Sequence, residues 1–115
     1  MPKAESYLRA VSVLQGIGSL YVLLNAFVAT EMSVLLAVAL GVFAAAAAGA
    51  SIGLGKRWKN AFRLSLALNA LVVAAGVWLL FLAKDAPWLG LAHMLAGATL
   101  LFGLWLGRGG ASLVP

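Results

Sequence analysis

The chain has 115 residues, 64% of them hydrophobic, and a mean hydropathy of +1.07. That much apolar surface excludes a water-soluble domain of this size, because small domains leave much of their area exposed. Nucleic-acid binding is excluded despite the formal charge of +5, since no basic stripe is interleaved with aromatics, and the lack of cysteine excludes disulfides, thiolate metal sites and cysteine nucleophiles.

Charged residues are so sparse that residues 10–30, 32–55, 64–83 and 86–107 contain none. Each stretch is about 20 residues or slightly longer, the length at which a helix crosses a hydrocarbon core of about 30 Å. The pattern predicts an all-α protein: a four-helix transmembrane bundle forming one domain over residues 1–115.

The first span is expected over about residues 8–29. Lys3 and Arg9 ahead of it resemble the start of a signal peptide. The apolar run is too long for one, however, and no small-x-small cleavage site precedes Glu31. No lipidation motif is expected, with proline at position 2 and Ser-Leu-Val-Pro at the C-terminus. Ser12, Gln15 and Ser19 fall on one helical face. Gly16-Ile17-Gly18 is a packing notch rather than a nucleotide loop.

A tight turn at residues 30–33 leads to the second span, about residues 33–55, with Thr30 or Ser33 as its cap. Gly41, Ala45, Gly49 and Gly53 recur every fourth position there, the small-xxx-small pattern that lets helix backbones approach. The row serves either packing within the bundle or an oligomer interface. With the alanine run at 44–48, it makes this helix slim, and the expectation is that it is the most enclosed of the four.

Lys56, Arg57, Trp58 and Lys59 form the next turn, with Arg63 one helical turn further on. The cluster suits anchoring to anionic headgroups or docking of a partner. Asn60 is expected to cap the third span, about residues 62–83, where Ser65 and Asn69 share a face. Lys84, Asp85, Ala86 and Pro87 make the last turn. The fourth span, about residues 87–107, opens on the proline, which fits a helix's first turn. It holds His93 and a weaker small-residue series, Thr99, Gly103 and Gly107. Arg108, Gly109 and Gly110 should end it before a mobile tail.

The charges set an orientation. With alternating helices, Lys3, Arg9, Lys56, Arg57, Lys59, Arg63 and Arg108 share one side, and Lys84 stands on the other with Glu31 and Asp85. This asymmetry predicts both termini on the cytoplasmic side. Trp88 falls at the expected outer interface and Tyr7 and Trp58 at the inner one, with Trp78 and Trp105 about one turn inside.

Gln15, Asn25, Asn69 and His93 are the strongly polar side chains within the spans. Counted from the nearest charge, Gln15 and Asn69 lie about 9 Å in from the inner end, and Asn25 and His93 about 9–12 Å in from the outer end. Such groups fix helix register by interhelical hydrogen bonds, or they line a cavity for a small neutral solute. His93 suits a neutral ring bonded to Asn25 or to a backbone carbonyl. As the sole histidine, without cysteine or a buried acid, it is too isolated for a metal or haem site. No cofactor is implied.

No span contains Asp or Glu, and no catalytic motif occurs, so an enzyme is not expected. In length, four spans and short loops the chain resembles the small multidrug resistance transporters. Their helix-1 glutamate has no counterpart in residues 15–21, and no family is assigned on layout alone. The expected role is helix–helix interaction in the bilayer, as a homo-oligomer or with a membrane-protein partner, in a bacterial inner membrane. The alternative is a small transporter or channel for a neutral or weakly charged solute.

Overall fold

The computed structural model describes the backbone of residues 2–108 and the side chains of residues 5–108. Four α-helices make up the described chain: α1 (Pro2–Ala29), α2 (Val34–Gly55), α3 (Lys59–Leu82) and α4 (Pro87–Leu106). Each contains a segment long and apolar enough to cross a membrane, and together they point to a multi-pass membrane protein. The expected break at Gly109 and Gly110 and the tail beyond lie outside the described residues, as does the side chain of Lys3.

Local chemistry places most of the boundaries. Ser33 takes an extended backbone (φ −160°, ψ 123°), and its hydroxyl accepts from Leu36 N at 3.3 Å, so it is the residue that caps α2. Thr30 instead donates to Phe27 O at 2.6 Å and closes α1. Pro87 opens α4 in the first turn, where its missing N–H would have had no partner. Two starts differ from the sequence expectation. The first helix already begins at Pro2, because proline is at home in a helix's first turn. The third begins at Lys59, with Trp58 rather than Asn60 at the cap and no side-chain cap bond.

The α2–α3 turn explains the early start of α3. Trp58 N donates to Gly53 O at 2.9 Å and Arg57 N to Leu54 O at 3.0 Å, the two bonds of a Schellman ending. The motif needs a left-handed residue between helix and exit, and Arg57 supplies it with φ 60°. Glycine is the usual occupant, since a Cβ there costs about 1–2 kcal/mol. Arg57 is also tied down elsewhere: its guanidinium donates to Glu5 Oε1 of α1 at 2.6 Å. Trp58 then packs over Gly53, where a Cβ would come within 3.1 Å of the indole and 2.4 Å of Ala61 Cβ.

Successive helices run antiparallel and each packs on its neighbours in sequence, with α1 closing the ring on α4. The hairpins α1–α2 and α3–α4 are the most extensive contacts, and the body measures 45 × 25 × 17 Å. The backbones of α3 and α4 approach closely. A Cβ on Gly76 would fall 2.6 Å from Gly90 O, and one on Gly90 would fall 2.5 Å from Gly76 O. Gly97 repeats this a little further along, 2.9 Å from Asn69 O. Small residues thus do bring helices together here, at Gly76, Gly90 and Gly97 between α3 and α4 and at Gly53 between α2 and α3.

α2, expected to be the most enclosed helix, buries six of its 22 residues, against six of the 25 whose side chains are described in α1, five of 24 in α3 and three of 20 in α4, so it leads by a narrow margin. Its neighbours α1 and α3 meet it along Ala44, Ala47, Ala50, Ser51, Gly53 and Leu54. The dry core has two parts. Leu8, Val11, Leu54 and Leu104 fill the end of the bundle bearing the α2–α3 turn, supported by Phe62, Leu66 and Leu100. Ala47, Ala50 and Leu68 pack α2 on α3 beside Phe43 and Ala46. Outside, large apolar side chains such as Leu24, Phe27, Leu35, Phe81 and Leu95 are exposed on all four helices.

Candidate functional site

Gln15 and Asn69 meet in the middle of the bundle. Both are almost fully buried, at 4% and 3% exposure. Asn69 Nδ2 donates to Gln15 Oε1 at 2.9 Å and to Ser65 O, one turn back on its own helix, at 2.9 Å. Gln15 Nε2 donates to Ser65 Oγ at 3.1 Å and to Ala47 O at 3.2 Å. The acceptors fix which way both amides point, because carbonyl oxygens cannot donate. One side chain of α1 thereby ties α2 and α3 together, which answers the cost of burying an amide among apolar groups.

A second link lies one turn nearer the basic end. Ser12 Oγ donates to Ser51 O at 2.6 Å, joining α1 to α2. The Ser51 hydroxyl itself is buried without a partner. A serine inside a helix ordinarily donates to the carbonyl four residues back. Here that carbonyl is Ala47 O, which Gln15 has already engaged. Ser51 drew no attention in the sequence, and its isolation in an otherwise apolar stretch of α2 was the available signal.

The outer two polar residues do not pair. Asn25 is exposed and donates to Tyr21 O at 2.9 Å, within its own helix. His93 bonds Leu89 O at 2.7 Å through Nδ1, also within its own helix. A carbonyl partner makes that nitrogen the N–H of the neutral ring and leaves Nε2 as an acceptor. Of the alternatives for His93, the structure selects the backbone carbonyl.

A cavity of about 280 Å³ lies beside this network, walled by all four helices. Gln15, Ser19, Asn69 and His93 contribute to its lining, and Asn25 does not. Ser19 is satisfied locally, donating to Gly16 O at 2.7 Å. The remaining wall is apolar apart from the hydroxyl of the exposed Tyr21, with Val22, Phe43, Leu68, Val72 and Leu100 its large apolar side chains. No charged residue lines it. Toward the basic end the path is filled by the cluster of Leu8, Val11, Leu54 and Leu104.

The small-residue row on α2 divides. Gly53 is buried against α3, as described above. Ala45 and Gly49 are exposed and Gly41 is half-buried, and a Cβ on Gly41 or Gly49 would meet nothing within 4 Å. Internal packing falls also on Gly76, Gly90 and Gly97, which belong to neither small-residue series. The seven-residue interval between Gly90 and Gly97 was the signal. In the α4 series Gly103 faces Val11, whose methyl would lie 2.6 Å from an added Cβ.

The basic turn gathers at one end with the start of α1 and the end of α4. Lys56 Nζ sits 5.0 Å from the centre of the Trp58 ring, and the Arg108 guanidinium 4.2 Å from that of Trp105. Both are cation–π distances. Lys59 and Arg63 are exposed, while Arg57 is engaged with Glu5. No protein-family model matches the chain, and neither a curated protein nor a solved structure is similar to it.

Proposed function

We propose that the chain is a four-span membrane protein with both termini cytoplasmic, and that it acts by packing α2 against a transmembrane helix of a second copy or of a partner. It is not an enzyme in this reading. The observation that carries it is the division of small residues. The bundle consumes Gly53, Gly76, Gly90, Gly97 and Gly103 internally, and leaves Gly41, Ala45 and Gly49 with their faces unfilled. In lipid, a backbone-deep groove of this kind favours close approach of another helix, because association there depends on packing rather than on hydrophobicity. The dry pairing of Gln15 with Asn69 supports the same reading, since those amides fix the bundle internally.

The orientation rests on the basic end, where the exposed cations and their tryptophans suit an anionic cytoplasmic surface. The alternative, passage of a neutral solute, has the cavity in its favour. Against it stands the apolar cluster of Leu8, Val11, Leu54 and Leu104, which closes the basic end.

The cysteine-free sequence makes the test clean. Gly49→Cys in native membranes should give a disulfide to the same cysteine of a second copy on oxidation, or a cross-link to a partner through a thiol-anchored photoreactive reagent. Leu24→Cys, on the exposed side of α1, should give none. Equal or absent cross-linking at both positions sinks the proposal.

A further inference from the structure

We infer that the cavity between the four helices is a binding pocket for a small, neutral, largely apolar molecule that presents one hydroxyl. This inference is independent of the α2 contact proposed above and concerns the opposite, inner side of the bundle.

The polar network sets the specificity. Asn69 spends both of its donated bonds on Gln15 Oε1 and Ser65 O. Among the described residues no donor reaches its Oδ1, yet this oxygen is not among the atoms that are both sealed from solvent and unpartnered. It therefore retains accessible surface, and the side chain, 97% buried by its 3% exposure, has the cavity to face. His93 spends its Nδ1–H on Leu89 O, leaving Nε2 with a free lone pair. Asn69 Oδ1 on α3 and His93 Nε2 on α4 are thus both acceptors in want of a donor, while the Tyr21 hydroxyl on the exposed rim can donate or accept.

A guest that satisfies either must donate, and a hydroxyl is the smallest group that does so without charge. An ionised guest is disfavoured, because no charged side chain lines the cavity to compensate its desolvation. The rest of the guest must be apolar to match Val22, Phe43, Leu68 and Val72. Size fits as well: an apolar cavity of about 150 Å³ takes up benzene, so 280 Å³ suits a two-ring molecule. The pocket is a dead end, since the leucine-rich cluster blocks the way to the basic end, which favours retention over passage.

The test uses 1-naphthol and naphthalene as probes of nearly equal shape, added to the full chain in detergent. His93 is the only histidine, so its Nε2 nitrogen gives a single NMR resonance. Naphthol should shift that resonance saturably and naphthalene should not. Binding of naphthol should exceed that of naphthalene by about 3- to 10-fold, the worth of one hydrogen bond. His93→Phe, which keeps a ring and removes the acceptor, should abolish the preference. Ala96→Phe, which fills the exposed side of the pocket, should weaken both probes. The proposal is overturned by equal affinity for the two probes, by an unmoved His93 resonance at saturation, or by a pocket found permanently occupied by a lipid acyl chain.

Discussion

Asn69 and Gln15 are separated by 54 positions in the chain, yet their amides meet at 2.9 Å in the centre of the bundle. The bond is one of four made by this pair, and it links the two hairpins across α1 and α3. Its worth is measurable by a double-mutant cycle. Gln15→Leu or Asn69→Leu alone leaves a buried partner unsatisfied and should destabilise by about 1–3 kcal/mol. The double variant should lose less than the sum, with a coupling of about 0.6–2 kcal/mol, the range found for interhelical amide bonds in membranes. Unfolding by denaturing detergent measures all four corners. Strict additivity would mean that the two amides do not act on one another.

The mutual approach of Gly76 and Gly90 predicts opposite outcomes for the same chemical change at different glycines. Gly76→Ala or Gly90→Ala puts a methyl about 2.6 Å or less from a backbone carbonyl, which only separation of α3 from α4 relieves. The expected loss is about 1–3 kcal/mol, as for overpacked cores. Gly18→Ala meets nothing within 4 Å and should leave the melting temperature in detergent unchanged or slightly raised. A neutral Gly76→Ala would show that the helices are not in backbone contact.

Arg57 combines a left-handed backbone with an ion pair, and substitution separates the two. Arg57→Gly removes about 1–2 kcal/mol of steric strain and forfeits a half-exposed ion pair worth about 0–1 kcal/mol. It should therefore be neutral to mildly stabilising. Arg57→Ala keeps the strain, loses the Glu5 contact and should be destabilised. If both variants lose stability equally, the turn does not hold Arg57 at φ 60°.

Charge placement predicts the response of the orientation. Replacing Lys56, Lys59 and Arg63 by glutamine removes the exposed cations of the α2–α3 turn and leaves Arg57 on Glu5. The bundle should then insert in mixed orientations, read by reporters fused to the N-terminus, while the parent should place that terminus in the cytoplasm. An N-terminal reporter found outside in the parent would overturn the orientation itself.

What the sequence determined by itself is the number and order of the helices and where most of them end. Those follow from one-dimensional facts: uncharged stretches long enough to span, a serine that caps, and a proline that starts. They also set depth, since residues counted from the flanking charges put Gln15 and Asn69 at one level. Partnership needed the tertiary structure. Depth does not give facing, so nothing in the chain distinguished His93, which borders the cavity, from Asn25, which folds back on Tyr21 O. The glycine spacing on α2 was conspicuous, yet the contact between backbones fell at Gly76 and Gly90. Spacing shows only that a helix can be approached. Which helix approaches it depends on the rotation of each cylinder about its axis, and that is set by all the side chains of the bundle packing at once.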